Sequence, residues 1–265
     1  MGVGVRFRGP ATLHELSAGS ARFAILQRMQ YSCPKTMNAE HLKSARLQAG
    51  LTQVQAAARL GVSQPYLSQM ERGQRPVTAA LAQRAARLWQ LPPAALPLSV
   101  DEAGPDTSGA ADRLTRQLAA LGYPGFAHRA GGTPSNPAAV LLSALRQPDL
   151  PVRVSEAMPW VAVHHVDLDW SWLVRQAKLH DVQNRLGFVV ALAAELADKI
   201  GHADVRDRLD AVTAQLEPSR LAREDTLCRQ SMPRPERQWL STRRSATAQH
   251  WNLLTGLTVE QLVSA

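Results

Sequence analysis

The sequence predicts an all-α protein: a small unit of four or five helices, followed by a second all-helical domain with one long helix. Three observations carry that prediction. Apolar residues recur at three- and four-residue spacing through most of the 265-residue chain. Ser, Thr, Asn or Asp stands just before most of these runs, where a helix N-cap is needed. The one stretch rich in β-branched valines, 161–168, has no partner stretch and reads as a loop.

Taken in order, residues 1–37 mix Gly, Pro, Arg and Ser with little periodicity. They read as a poorly ordered arm or an upstream extension, with Met29 and Met37 as alternative starts; a short helix over 12–30 is the competing reading. Asn38 is placed to cap a helix to about residue 49, halted by Gly50, with Leu42, Ala45 and Leu47 inward. Thr52 followed by Gln55 is a capping box that starts the next helix. Its inward face is read as Val54, Ala57 and Leu60. Gly61 stands where the chain must turn sharply and suits a left-handed backbone. Val62 plugs the turn, Ser63 caps a further helix, and Pro65 lies in its first turn, where a missing N–H is harmless. Leu67 and Met70 then face inward, leaving Gln64, Tyr66, Ser68, Gln69 and Arg72 outward. After a basic loop containing Arg75, Thr78 caps a helix through Trp89, with Leu81, Ala85 and Leu88 inward, and Pro92-Pro93 ends it.

Residues 98–111 turn to Ser, Gly, Pro and Asp and read as a linker between a unit at 38–97 and a second domain at 112–265. In that domain a helix over 112–122 carries Leu114, Leu118 and Leu121. A loop follows, and Asn136-Pro137 open a helix to about 146. A short helix follows Pro151, and Asp169 caps the longest periodic run, 170–200, whose apolar stripe is interrupted near Gly187. Further helices are expected at 204–216, from 219 onward, at 236–240, at 246–254 and, capped by Thr258, at 259–263.

Charge is distributed unevenly. The chain is +8 overall. Residues 38–96 hold Lys43, Arg46, Arg59, Arg72, Arg75, Arg84 and Arg87 against Glu40 and Glu71, residues 1–37 are also basic, and the remainder is close to neutral. That asymmetry fits a polyanion-binding module joined to a domain with another task. Cys33 and Cys228 are too few for a disulfide framework and lack metal-ligand companions, so free thiols in a reducing cytoplasm are expected. No apolar run approaches a membrane span.

Helix, tight turn and second helix over 52–73 form the unit that lays one helix in the DNA major groove. The outward residues suit base edges and phosphates. Leu51-Thr52-Gln53, Ala57, Gly61-Val62-Ser63, Tyr66-Leu67-Ser68 and Glu71-Arg72-Gly73 together resemble the phage-repressor/Cro type helix-turn-helix, the XRE family, over residues 42–92, about a fifth of the chain. The resemblance implies a lambda-repressor-like DNA-binding domain that binds double-stranded DNA as a homodimer, with Gln53 on a phosphate. Base reading falls to the start of the next helix, at Gln64 with Tyr66, Ser68 and Gln69 nearby. Pro65 has no side-chain hydrogen bond to offer a base, so readout leans on Gln64 and Gln69. Ser63, Arg72 and Arg75 complete the expected DNA-binding set, and Glu71 reads as a structural brace.

Further on, Asp149-Leu150-Pro151, Glu156 to Trp160, Asp167 to Trp170, Gln183 to Phe188 and His250 to Leu254 are similar to bacterial helix-turn-helix proteins of unassigned biochemistry. That similarity implies an antitoxin role, with the helical domain neutralising a toxin partner while the helix-turn-helix autoregulates the operon. The apolar stripe of 170–200 is the expected dimer or partner surface.

Enzymatic readings find no support in the residues. His164-His165 with Asp167 and Asp169 lack the spacing of a metal site, and His-Glu-x-x-His, a phosphate loop and a dinucleotide glycine pattern are all missing from the sequence. Neither enzyme activity nor a cofactor is expected. His180-Asp181 and Asn184-Arg185, on the long helix, are read as a polar patch or a salt bridge to another helix, with an interface arginine as the alternative. Trp160, Trp170, Trp172, Trp239 and Trp251 are read as core or interface in preference to a ligand pocket. A small-molecule sensor is the third reading of the second domain.

Overall fold

The computed structural model describes residues 39–96, 98, 109–129, 131–132 and 134–263. The expected helix over 12–30, the Asn38 cap, Cys33 and most of the 98–111 linker lie outside these residues. The described fold is all-α, and its only strands are two residues long.

Helices α1 (Ala39–Gln48), α2 (Gln53–Leu60), α3 (Gln64–Glu71) and α4 (Ala79–Trp89) enclose a small core of Leu42, Leu60, Leu67, Met70 and Trp89 filled in by alanines. The caps form as the residues require. Thr52 and Gln55 satisfy each other's backbone groups, Ser63 accepts from the Tyr66 N–H, and Thr78 accepts from the Leu81 N–H.

Three inward assignments are corrected. Leu47, Val54 and Leu88 are 58%, 66% and 46% exposed. The buried faces are instead Ala56, Ala57 and Leu60 on α2 and Ala82, Ala85, Ala86 and Trp89 on α4. Alanine on the inner face lets short helices approach closely, and the larger apolar residue beside it is turned out to water.

The remainder is built around α9 (Gln183–Lys199), which is buried along almost its whole length. Around it pack α5 (Ala110–Ala120), α6 (Pro137–Leu145), α7 (Val152–His164), α8 (Trp170–Leu179) and α10 (Ala203–Leu216), in one continuous core. Strand β1 (Asp225–Thr226), α11 (Arg234–Arg243), α12 (Ala246–His250), β2 (Leu253–Leu254) and α13 (Val259–Val263) follow, with β1 and β2 paired in parallel. Asn136 caps α6 by accepting from the Ala138 N–H, and its amide donates to the carbonyls of Ala94 and Leu96 at 3.1 and 2.7 Å. Asp169 caps α8 as expected.

Here the pattern departs from expectation in four places. Residues 161–164 continue α7 rather than forming a loop, and Pro159 lies inside that helix. Burial of Met158, Pro159, Val161, Ala162 and Val163 holds the helix against the lost N–H. The 170–200 run is two helices, parted at His180–Val182 where Asp181 takes a left-handed φ of 55°, and Gly187 is inside α9. Gly187 is there because a Cβ at that position would overlap the ring of Trp251. Finally, residues after 219 are irregular and lead into β1, and 246–254 splits into α12 and β2.

The expected dimer stripe is also corrected. Leu173, Ala177, Leu186, Val189, Val190 and Ala193 are fully buried in the monomer's own core. Of the large apolar residues in the run only Leu179, at the end of α8, and Ile200, just past α9, are exposed.

Candidate DNA-binding surface

The geometry of this surface starts at the turn. Gly61 has φ 67° and ψ 34°, and its N–H bonds back to the carbonyls of Ala57 and Ala58, ending α2. The N–H of Val62 also returns to Ala57. A side chain at Gly61 would be strained in this left-handed conformation and would crowd the Arg84 guanidinium, 3.2 Å from the position of a Cβ. The chain leaves the turn through Ser63, and α3 begins at Gln64 with Pro65 in its first turn.

Leu67 and Met70 anchor α3, with no exposed surface on either. Gln64, Tyr66, Ser68 and Gln69 are half-buried, and Arg72 is exposed just beyond the helix. Two of these side chains are held by neighbours. Arg72 donates to the Ser68 hydroxyl at 3.0 Å and to the Ser68 carbonyl at 3.2 Å. The Arg75 guanidinium lies over the ring of Tyr66, 5.4 Å from its centroid, a cation–π contact. Ser63 spends its hydroxyl on the cap.

A polar chain runs from this surface into the core. Gln64 Nε2 donates to Gln53 Oε1 at 2.8 Å, and Gln53 Nε2 donates to Glu71 Oε2 at 2.9 Å. Arg46 closes the chain, with Nε 2.6 Å from Glu71 Oε1 and Nη2 3.1 Å from Oε2. The side chains of Arg46 and Glu71 are 8% and 2% exposed. Glu71 is therefore a brace, as its position suggests, but its partner was missed. The signal was present: Arg46 shares the inner face of α1 with Leu42 and Ala45, and a charge on a core face needs a buried counter-charge. Because Arg46 and Glu71 neutralise each other, the module's surface charge comes from Lys43, Arg59, Arg72, Arg75, Arg84 and Arg87, all exposed, with Glu40 opposing.

The other singled-out residues lie elsewhere. His164 stacks on Trp160 with centroids 4.1 Å apart, and its Nδ1 is 3.0 Å from the Trp160 carbonyl. Burial pulls the pKa of His165 down. Among the described residues no three His, Cys, Asp or Glu side chains group as metal ligands, and no helix is long and apolar enough to cross a membrane. Trp172 and Trp251 are core, Trp160 and Trp170 pack partly buried against it, and Trp239 is 53% exposed. Arg185 grips Asp225 on β1 through Nε at 2.7 Å and Nη2 at 3.0 Å, so its salt bridge goes to a strand and not to a neighbouring helix.

Four short helices around an alanine-lined core, with a glycine turn between the second and third, define a helix-turn-helix DNA-binding module. Residues 42–96 match the helix-turn-helix family model. Over this segment, about a fifth of the chain, the protein is similar to the XRE-type helix-turn-helix, a domain found in DNA-binding transcription regulators. No curated protein and no solved structure matches the chain.

Proposed function

We propose that the protein is a sequence-specific transcriptional repressor that binds a paired half-site in double-stranded DNA as a homodimer. In this reading residues 38–97 are the DNA-binding domain and residues 112–265 a regulatory or interaction domain. The observation that supports it best is the joining of Gln53, at the start of α2, to Gln64, at the start of α3, with Gln69 one turn further along and arginines at the edge. Amide side chains at the start of a groove-reading helix offer a donor and an acceptor to a base edge. Arg72 and Arg75 supply charge for phosphates, which positions the module without reading sequence. A single module makes a small interface, and two half-sites about 34 Å apart double it. Occupancy of a promoter blocks polymerase with no chemistry required.

Gln64→Ala tests the reading by mobility-shift titration on DNA selected by the parent protein. The expected result is a loss of about 1–3 kcal/mol on that DNA with little change on random duplex. Arg75→Ala is expected to weaken both alike and flatten the salt dependence. Equal losses on both duplexes from Gln64→Ala would remove the base-reading role.

A second reading is the antitoxin. Exposed Trp239 and Val152 stand at a cavity of about 340 Å³ walled by Leu150, Met232, Leu254 and Leu257, the kind of apolar surface an interaction protein presents. It predicts a stable complex when the chain is co-expressed with the product of an adjacent gene, and separate elution on gel filtration counts against it.

A further inference from the structure

The stretch read as a linker, 98–111, leaves and rejoins the same body. Leu98 packs against the larger core, and Ala110, which opens α5, is buried. The helix-turn-helix module therefore meets that core ahead of Leu98, and the joint is short and stiff. Gln90 ends α4 in a left-handed conformation with φ 51°, and Leu91 packs back on the module's own core. Pro92, with φ −61°, and Pro93 then restrict the backbone, and the 3-10 turn Pro93–Ala95 lies against α6.

Asn136 closes the joint. It is 3% exposed, and both atoms of its amide are committed. Oδ1 accepts from the Ala138 N–H at 2.9 Å and caps α6. Nδ2 donates to the carbonyls of Ala94 and Leu96, one hydrogen for each. An amide alone carries both an acceptor for the cap and two donors for the carbonyls. Helix α6 is itself buried almost throughout, and Arg185 holds its far end through the carbonyls of Leu145 and Gln147. The module's exit is thus fastened to the most immobile part of the larger core.

We infer that Asn136 is a positioning residue for the recognition of paired half-sites. It locks the module's exit to α6, so this joint, and not the length of the 98–111 stretch, sets the spacing between two groove-reading helices. The inference rests on the homodimer proposed above, with the two copies meeting through residues 112–265.

Asn136→Asp separates the two jobs of the side chain. A carboxylate caps a helix as well as an amide does, so the melting transition of the larger core should stay in place. It has no hydrogen to donate and repels both carbonyls, so the joint should open. Backbone amide NMR relaxation of the full chain reads this directly. In the parent, residues 39–96 should tumble with the larger core; in the variant they should tumble faster, as a separate unit. A Gly-Ser insertion of about ten residues between Gly104 and Pro105 should leave the parent's behaviour intact.

The DNA measurement compares two half-sites at the preferred spacing with the same half-sites moved by half a turn, about 5 base pairs. The parent should prefer the first by about tenfold, since only that arrangement lets the second module bind within the complex. Asn136→Asp should reduce the preference to about threefold or less, with affinity for a single half-site unchanged. The insertion variant should keep the parent's preference.

An Asp variant whose module still tumbles with the core overturns the inference, and so does loss of the preference in the insertion variant. If Asn136→Asp does not fold, Asn136→Ser keeps a capping oxygen but has one hydrogen for two carbonyls, and the same two measurements judge it. A parent indifferent to spacing removes the paired half-site proposal and this role for Asn136 with it. A parent that discriminates, beside a variant at 136 that discriminates equally, removes the role of Asn136 alone.

Discussion

Arg46 and Arg185 are both buried, and each grips a carboxylate through two nitrogens, yet the pairs are wired in opposite directions. The Arg46–Glu71 pair reaches outward: its carboxylate has capacity to spare and spends it on Gln53, which leads to the surface of α3. The Arg185–Asp225 pair reaches inward. Arg185 Nη1 donates to the carbonyls of Leu145 and Gln147 at the end of α6, at 2.8 and 3.0 Å, satisfying acceptors that the helix leaves open. Cys228 sits against the same guanidinium, its Sγ 3.8 Å from Nη1. Burial pushes its thiol up to about 11, even though the charge of Arg185 pulls the other way. Burial also works against the charge on Arg185, but its hydrogen bond to Asp225 and the neighbouring thiol and carboxylate raise its pKa on balance. One ion pair serves a surface; the other fastens β1 and the end of α6 to α9.

The sharpest way to break this comparison is to remove each carboxylate alone. Asp225→Ala leaves Arg185 buried and uncompensated, and the expected cost is roughly 3–5 kcal/mol in chemical denaturation. Glu71→Ala is expected to cost a similar amount in the small module. The two sites should separate when the arginine goes as well. Arg46→Met with Glu71→Leu takes the donor from one carbonyl, that of Leu51, whereas Arg185→Met with Asp225→Leu takes it from two, those of Leu145 and Gln147, so the first double substitution should recover more of the stability than the second. Equal recovery at both sites would erase the distinction.

Packing gives a smaller effect. Gly187→Ala puts a methyl where the Trp251 ring lies, and overpacking there should cost about 1–3 kcal/mol, with the loss of melting temperature confined to the larger core. The smallest effect belongs to the local caps. Thr52→Ala removes one side of a capping box and should cost about 1 kcal/mol, read by thermal unfolding, with Thr52→Ser close to neutral.

How much of this was legible in the sequence follows from the range of each interaction. The caps at Thr52, Ser63, Thr78, Asn136 and Asp169 and the turn at Gly61 depend on groups within a few residues, so their meaning is local and readable. The inward faces of α2 and α4 were misjudged because alanine is apolar enough to fill a core and small enough to draw helices together, which periodicity weighted toward larger residues does not register. Pro159 stands inside α7 because burial of its neighbours outweighs its own preference, and burial is a property of the whole fold. The left-handed Asp181 that divides α8 from α9 carries no marker of its own. Of the candidate surface, the outward set on α3 was readable from spacing. The chain from Gln64 to Arg46 was not, because its partners are 11, 18 and 25 residues apart and meet only when α1, α2 and α3 have packed.

The contact between Gly187 and Trp251 also sets an order of events in time. Helix α9 is the axis of the larger core, but the ring that covers Gly187 comes from the far side of α10, β1 and α11. A chain emerging from the ribosome can form α6 to α9 long before residue 251 is made. Until then the slot over Gly187 stands open, and surrounding apolar side chains have nothing to close on. Trp251, just past the end of α12, thus works as a keystone, and the larger core reaches its final packing only when the indole drops into place.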